Sequence, residues 1–266
     1  MSVLFQEFEL DLENHPVAAL RVSVDSTHTE TPEHTHSTGQ LILALKGAVT
    51  CQVPGFLWIV PPECAVWIPD AILHNSRMTA SASVCFLFVK RGVASLPEHP
   101  CTIEISPMIR EMILHLAEAG QRPGNAKNKQ LLLMQVLIGE LETMPVTRFC
   151  LPMSANPKLR TIMDTLVSNP AERSTLSEWA DRVAMSERSL ARLINRDTGM
   201  TFGHWRRQLH LLVALRSLAE GRAVQNVSES LGYGSVTAFI TMFKKVLGTT
   251  PSRYFDLKSR TCGFVR

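Results

Sequence analysis

Chemistry that declares itself by residue spacing is missing from this chain of 266 residues. It holds no P-loop, no GxGxxG turn and no Ser-His-Asp arrangement, so nothing points to nucleotide-driven or triad catalysis. Paired cysteines are missing too. Cys51, Cys64, Cys85, Cys101, Cys150 and Cys262 are scattered with no CxxC, which argues against a zinc ribbon or a disulfide framework; apolar neighbours such as Val84 and Phe86 mark them as buried, reduced thiols. No apolar run approaches the roughly 18–20 residues of a membrane span. The opening segment MSVLFQEFELDLENHP is acidic and lacks a basic start with an apolar core, so no signal peptide is expected. The expectation is a soluble, cytoplasmic protein.

Charge is present but divided. The net charge is +3, yet residues 1–154 sum to −5 and residues 155–266 to +8. An acidic front and a basic back imply a nucleic-acid partner for the back half, with a basic solvated surface as the plain alternative. The length suits two modest domains.

Residues 1 to about 90 read as β structure: Gln40–Leu45, Ala48–Val53, Phe56–Val60 and Val84–Lys90 are short runs between turn formers such as Gly47 and Pro54-Gly55. Short, evenly spaced strands fit a small barrel or sandwich. Ser106-Pro107 then caps a helix that stops at Gly120. A second helix, Lys127 to about Thr143, carries apolar residues on more than one face, so one face is expected on the barrel and another on a partner subunit in a homodimer. The proline-containing stretch 145–157 reads as a linker, dividing a sensor and dimerisation domain (1–144) from a helical domain (158–266).

The last third says one thing twice. TLSEWADRVAMSERSLARLINRDTGMTFGHW and AVQNVSESLGYGSVTAFITMFKKVLGTTPSRYF each read as short helix, tight turn, second helix. In the first, Ser186 caps a helix with Leu190, Leu193 and Ile194 inward and Arg188, Arg192 and Arg196 outward; in the second, Ser235 caps a helix carrying Phe239, Met242, Phe243 and Val246. A connecting helix from about Gly203 to Glu220 rises about 25 Å, which suits two reading helices in successive major grooves of double-stranded DNA, about 34 Å apart.

The run GYGSVTAFITMFKKVLGTTPSRY closely resembles the signature of AraC/XylS-type transcription regulators, with Gly232, Tyr233, Ser235, Phe239, Phe243, Lys244, Gly248, Pro251 and Tyr254 at the required spacing. The resemblance covers about residues 155–257 and implies promoter DNA binding. By position it implies base-facing roles for Arg188, Ala191 and Arg192 in the first unit, and for Val236, Thr237 and Thr241 in the second. Arginine suits guanine O6 and N7; valine and threonine methyls suit thymine. Phosphate contacts are expected from Arg206, Arg207, Lys244, Lys245 and Arg253, with Ser186 and Ser235 at helix starts. Many relatives place arginine where Thr241 and His210 stand; the latter position is a structural support. Chains with a GHWRRQLHLL-type connecting helix resemble repressors of neighbouring transporter genes.

The front half is similar to cupin motifs. His34, His36, Gln40 and Gly47 fall at the first motif's spacing, with glutamine in place of its acid; Pro69 and His74 match the second, with Ala71 at its usual glycine. The resemblance implies a cupin-like β-barrel sensor, an α+β protein overall. His34, His36 and His74, with the Gln40 amide, are a candidate metal or ligand pocket; three imidazoles suit Zn, Ni or Fe(II), and hydrogen-bonded pocket histidines are the alternative. Trp58, Trp67, Ile68 and Phe86 are candidates to line a small-molecule effector site. The reading is a ligand-responsive DNA-binding regulator, a repressor and not an enzyme. The competing reading is a metal-dependent cupin enzyme with an appended DNA-binding domain.

Overall fold

The computed structural model describes residues 15–24, 29–60, 64–79, 82–119, 127–147 and 149–254. The chain forms two compact units, residues 1–54 with 58–150 and residues 55–57 with 151–266. The architecture is mixed α and β, sheet-rich in front and helical behind.

The strands of the first unit are β1 (Val17–Ser23), β2 (Thr29–Glu30), β3 (Gly39–Lys46), β4 (Val49–Val53), β5 (Phe56–Ile59, of which Phe56 and Leu57 count with the second unit), β6 (Cys64–Ile68), β7 (Asn75–Met78), β8 (Ser83–Val89), β9 (Cys101–Glu104) and β10 (Val146–Thr147). One sheet runs β1-β8-β3-β6-β9-β10, and a second contains β5-β4-β7-β2. Helices α1 (Pro107–Ala119) and α2 (Lys127–Glu142) complete the unit.

The first sheet is buried on both faces. Leu41, Leu43, Cys85 and Leu87 pack with Ile109 and Ile113 of α1 and Leu137 of α2. Their strand neighbours Ile42, Phe86 and Phe88 point the other way, onto Val49, Cys51 and Met78 of the second sheet. Alternation sends successive side chains to opposite faces, and two covered faces erase the polar half of the pattern; β6 and β8 are accordingly buried at every position. Trp67 departs from expectation for the same reason. It lies on the helix-covered face, its Nε1–H donating to Pro97 O at 2.8 Å, and does not line the space between the sheets; Trp58, Ile68 and Phe86 do face inward there.

The division between the two units falls inside 145–157, after Cys150, and the described residues of that stretch make defined hydrogen bonds. Val146 and Thr147 pair with Ile103 and Thr102, and β11 (Cys150–Pro152) follows. In the second unit Met153 N–H donates to Gly55 O, the Ser154 hydroxyl donates to Asp197, and Trp205 Nε1–H donates to Pro152 O at 2.7 Å. Prolines set the backbone, but buried partners hold it. The described cysteines, Cys51, Cys64, Cys85, Cys101 and Cys150, are buried and take part in no disulfide among the described residues; Cys262 lies outside the described residues.

The second unit is helical: α3 (Pro157–Ser168), α4 (Leu176–Arg182), α5 (Glu187–Thr198), α6 (Phe202–Ala219), α7 (Val224–Ser230) and α8 (Val236–Leu247). A further helical turn starts at Pro251. Helix α6 is buried at every position from Leu209 to Leu215, with Trp205 also buried. It therefore runs through the middle of the unit, flanked by α5, α7 and α8. Among the described residues no helix is long and apolar enough to cross a membrane.

Candidate functional site

Two helix pairs, α4–α5 and α7–α8, repeat one construction. In each, the amide after the first helix closes the turn onto it: Met185 N–H to Ala180 O at 2.9 Å, and Tyr233 N–H to Ser228 O at 2.9 Å. Each second helix starts at a serine whose Oγ accepts from an amide three residues on, Ser189 N–H and Ala238 N–H, both at 3.2 Å. Each ends in a left-handed glycine, Gly199 at φ 69° and Gly248 at φ 74°. Between these caps Leu190, Leu193 and Ile194 are buried on α5, and Phe239, Met242 and Phe243 on α8.

Burying three positions leaves the opposite face in water. Arg188 and Arg192 are exposed on α5 with Ala191 half-buried between them; on α8 Thr237 and Thr241 are exposed and Val236 is half-buried. The Thr241 hydroxyl donates to Thr237 O at 2.8 Å, which engages its polar end within the helix. Ser186, Ser235, Arg207, Lys244, Lys245 and Arg253 are exposed. Among the described residues, no ion pair engages Arg188, Arg192 or these cations. Val246, expected to share its helix with the core residues, is 42% exposed.

Arg206 departs from the phosphate-contact set. Its Nη2 donates to Ser174 O at 2.6 Å and its guanidinium lies 4.5 Å from the Phe202 ring centre. Burial pulls its pKa below the ordinary arginine range, Arg173 adds to that, and Glu172 opposes it. Phe202 four residues earlier was the available signal, since an aromatic and a long side chain at that spacing share one helix face.

His210 performs the support role implied for its position. Its ring nitrogens lie 3.0 Å from Tyr233 Oη and 2.9 Å from Pro170 O. Burial lowers its pKa to about 4; the Pro170 carbonyl works against that, and Arg206 and Arg173 with it. The neutral ring ties α6 to the turn of the second pair. Sequence reasoning missed Arg173, which stands over the Tyr233 ring at 5.8 Å.

In the first unit the chain folds His34, His36 and His74 together. His34 and His74 exchange both backbone hydrogen bonds, and Ala71 N–H donates to His36 O at 2.9 Å. Ala71 has φ 60°, a left-handed conformation that explains the usual glycine there. Ring centres are 4.8 Å apart for His34 and His36, 4.4 Å for His34 and His74, and 5.3 Å for His36 and His74. Gln40, 2% exposed on β3, brings Oε1 to 2.9 Å from His74 Nε2. His36 and His74 are each lowered to about 4, chiefly by burial; neighbouring imidazoles reinforce it, and the Ile72 carbonyl opposes it for His74. Both rings are neutral at physiological pH, which is the ligand form.

Comparisons with known proteins agree with the helical half and extend beyond it. A helix-turn-helix domain family matches residues 179–256. The chain is 45% identical over 247 residues to the HTH-type transcriptional regulator NimR of Escherichia coli K12, covering 93% of this chain and 90% of that protein. It is 30% identical over 185 residues to the HTH-type transcriptional regulator GadX of E. coli O6:H1, covering 66% and 65%. Among solved structures, ToxT from Vibrio cholerae O395 aligns over 90% of this chain and 95% of its own, at 10% identity and a TM-score of 0.38. With paired, capped helices behind and a relative matched over nearly its whole length, the chain belongs to the AraC family of DNA-binding transcriptional regulators.

Proposed function

We propose that the protein is a ligand-responsive repressor that binds promoter DNA as a homodimer, with α5 and α8 acting as the recognition helices of two helix-turn-helix units in successive major grooves. The observation that carries this reading is the matched pair of serine-capped helices, each buried through the same three positions and exposed on the opposite face. Arg188, Ala191 and Arg192 read bases in one groove, and Val236, Thr237 and Thr241 in the next. Arg207, Lys244, Lys245 and Arg253 contact phosphates, together with the helix starts at Ser186 and Ser235, where the orientation of the remaining amides favours an anion. Arg206 is left out because the fold engages it.

The cupin-like first unit is the sensor. A small molecule bound between its sheets regulates DNA binding only so far as it favours one arrangement of the protein over another. Helices α1 and α2 supply the dimer contact in this reading. Met108, Leu132 and Val136 are 51%, 62% and 52% exposed there, a concentration of apolar surface suited to a second copy. The repressed gene is a neighbouring transporter or metabolic gene, by likeness to chains with the same connecting-helix sequence.

Selection of binding sites from random duplexes by the full-length protein tests the reading. The expected product is a motif of two boxes about 10–10.5 base pairs apart per protomer. Arg192→Ala relaxes one position of one box, whereas Lys245→Ala weakens all sequences alike and lowers the salt slope by about one. A single box, or no enrichment, overturns the two-groove reading. Leu132→Glu with Val136→Glu is expected to give monomers in sedimentation; an unchanged dimer removes α2 from the interface.

A further inference from the structure

Buried hydroxyls in the first unit are generally engaged. Thr31 Oγ1 donates to Ser76 O at 3.3 Å and accepts from Ser76 N–H at 2.9 Å, and Ser83 Oγ accepts from Arg21 Nε at 3.3 Å. Two others differ. Thr102 Oγ1 on β9 and Thr147 Oγ1 on β10 are buried with no hydrogen-bond partner among the described residues, and Thr102 is 0% exposed. An unpaired buried hydroxyl carries the full cost of leaving water, which a valine of the same shape would avoid.

The two threonines are neighbours. Thr147 stands directly opposite Thr102 in the antiparallel register, as Val146 stands opposite Ile103, and directly opposed residues share one face of a sheet. Ile103 packs under the helices, so Thr102 and Thr147 point the other way. Thr102 is also opposite Val66, which packs with Ile42, Trp58, Phe86 and Phe88 between the sheets. Two hydroxyls are thus aimed side by side into the apolar space where the sensor reading puts its ligand.

This pair defines what it can hold. Each hydroxyl offers a proton, and two protons from adjacent strands suit one carbonyl oxygen, which has two lone pairs. The rest of such a molecule meets apolar side chains. Charge is disfavoured there. The inward residues of that cluster carry none, so an ion would lose its hydration without a counter-charge. Glu104, the next residue of β9 on the same side, is exposed and repels an anion.

We propose that Thr102 and Thr147 bind the uncharged carbonyl oxygen of a small, otherwise apolar effector, and that this contact ties β10 to β9. The inference rests on the sensor reading of the first unit; it names the ligand chemistry and the element that responds first. Strand β10 is two residues long and lies at the end of its sheet. Beside the register pairs, Glu104 N–H donates to Pro145 O at 3.0 Å, and Val146 is 48% exposed. A ligand bridging both hydroxyls adds a cross-strand link to this thinly held edge. The first unit ends at Cys150, three residues after Thr147, so β10 is the last strand lying wholly within it. In the second unit the chain is gripped at once, with Pro152 O accepting from Trp205 Nε1–H and the Ser154 hydroxyl donating to Asp197.

The test titrates full-length protein, labelled at its threonine methyls, with benzamide and cyclohexanone, using toluene and benzoate as controls. Both neutral carbonyl probes are expected to shift the Thr102 and Thr147 methyl signals saturably and to slow exchange of the Glu104 amide. Toluene and benzoate are expected to bind at least about threefold more weakly. Thr102→Val and Thr147→Val are each expected to unfold at or above the wild-type temperature. The double variant should bind the carbonyl probes about tenfold more weakly and toluene as before. Carbonyl-probe affinity untouched by the valines, tighter binding of benzoate, or a valine variant that unfolds at lower temperature overturns the proposal. Absence of any saturable shift, the result for hydroxyls that hold water only, overturns it too. Failure of the sensor reading looks different: saturable binding at the two threonines that leaves affinity for the selected DNA motif unchanged upholds the site and removes its regulatory role.

Discussion

Helices α5 and α8 share a scaffold and differ at the surface. Both place their buried residues four, seven and eight positions after the capping serine, and both stop at a left-handed glycine thirteen positions after it. Outward, α5 presents Arg188 and Arg192 where α8 presents Thr237 and Thr241. The differences continue in the supporting elements. Helix α4 begins with a full capping box between Thr175 and Glu178, whereas α7 begins at Ala223 with no side-chain cap. The first turn passes through Ala184 at φ 50°, the second through Gly232 at φ 72°, and the second is one residue longer before its serine. Packing thus holds the two helices alike, while chemistry and local stability have been set separately for each.

The largest expected difference is a response to acid. Among the described residues only the second turn is tied to α6 through a buried imidazole, His210 on Tyr233. In the unfolded chain His210 takes up a proton below about 6.5, but in the folded protein only below about 4. The unfolded state binds more protons in that window. The contribution is therefore complete above pH 6.5 and is lost as pH falls towards 4, by about 3 kcal/mol. His210→Gln, which keeps an amide for Pro170 O, should flatten that part of the stability profile. The only two tyrosines, Tyr233 and Tyr254, both lie in this half, so their ring resonances report it locally. An acid response of equal size in the variant would assign the effect elsewhere.

Base readout gives the next effect. On the proposed reading, Arg192→Ala removes a bidentate donor and should cost about 1–3 kcal/mol of discrimination at one base pair. Thr241→Ala, at the equivalent place on α8, should cost less than about 1 kcal/mol, because its hydroxyl already donates to Thr237 O and only a methyl contact remains. Competition binding against single-base operator variants measures both. Equal losses would mean that the two helices read with equal strength despite their different faces.

The turns separate the pair by about 1 kcal/mol. A methyl group on Gly232 would stand 3.0 Å from Ala171 O and 3.0 Å from Arg173 Nε, at a positive φ. Gly232→Ala should therefore destabilise by more than the roughly 1 kcal/mol that left-handed backbone costs an L-residue. Ala184→Gly relieves that strain but adds backbone entropy, so its net effect should stay within about 0.5 kcal/mol. Urea unfolding of the two variants decides whether the turns are tuned differently.

How much of this was legible in the sequence depends on where the governing partners lie. Capping serines, terminal glycines and the inward triplets of α5 and α8 are local signals, and the structure follows them to within a residue or two. Burial on both faces removes polar alternation from β6 and β8 alike, but only β8 was read as a strand; β6, Cys64–Ile68, was missed, and β1, β7 and β9 were unmarked. The division between the two units falls within the 145–157 stretch, after Cys150, while the hydrogen bonds that its described residues make to Ile103, Gly55, Asp197 and Trp205 carry no local signal. Arg206 failed similarly, since Ser174 O is thirty-two residues away. The histidine cluster was legible through spacing, but the carbonyls of Pro32 and Ile72 beside its ring nitrogens are placed only by coordinates.

The smallest expected effect sits at the start of the second pair. Helix α7 spans seven residues and opens at Ala223, which offers no acceptor to the first amides. Its counterpart Thr175 accepts from Glu178 N–H while Thr175 N–H donates to the Glu178 carboxylate. The Thr175 N–H and the Thr175 hydroxyl both donate to that carboxylate, which holds the Glu178 carboxyl below the usual range and favours its charged form. Ala223→Ser should stabilise α7 by about 0.5–1 kcal/mol, and Thr175→Ala should destabilise α4 by about 0.5–2 kcal/mol. Amide hydrogen exchange resolves each helix separately: slower exchange confined to α7 in the first variant, and faster exchange confined to α4 in the second. If Ala223→Ser also improves DNA binding, loss of order in α7 limits how α8 is presented. If exchange slows while affinity stays constant, the weak cap is a tolerated defect, and the difference between the two helices resides in their outward side chains alone.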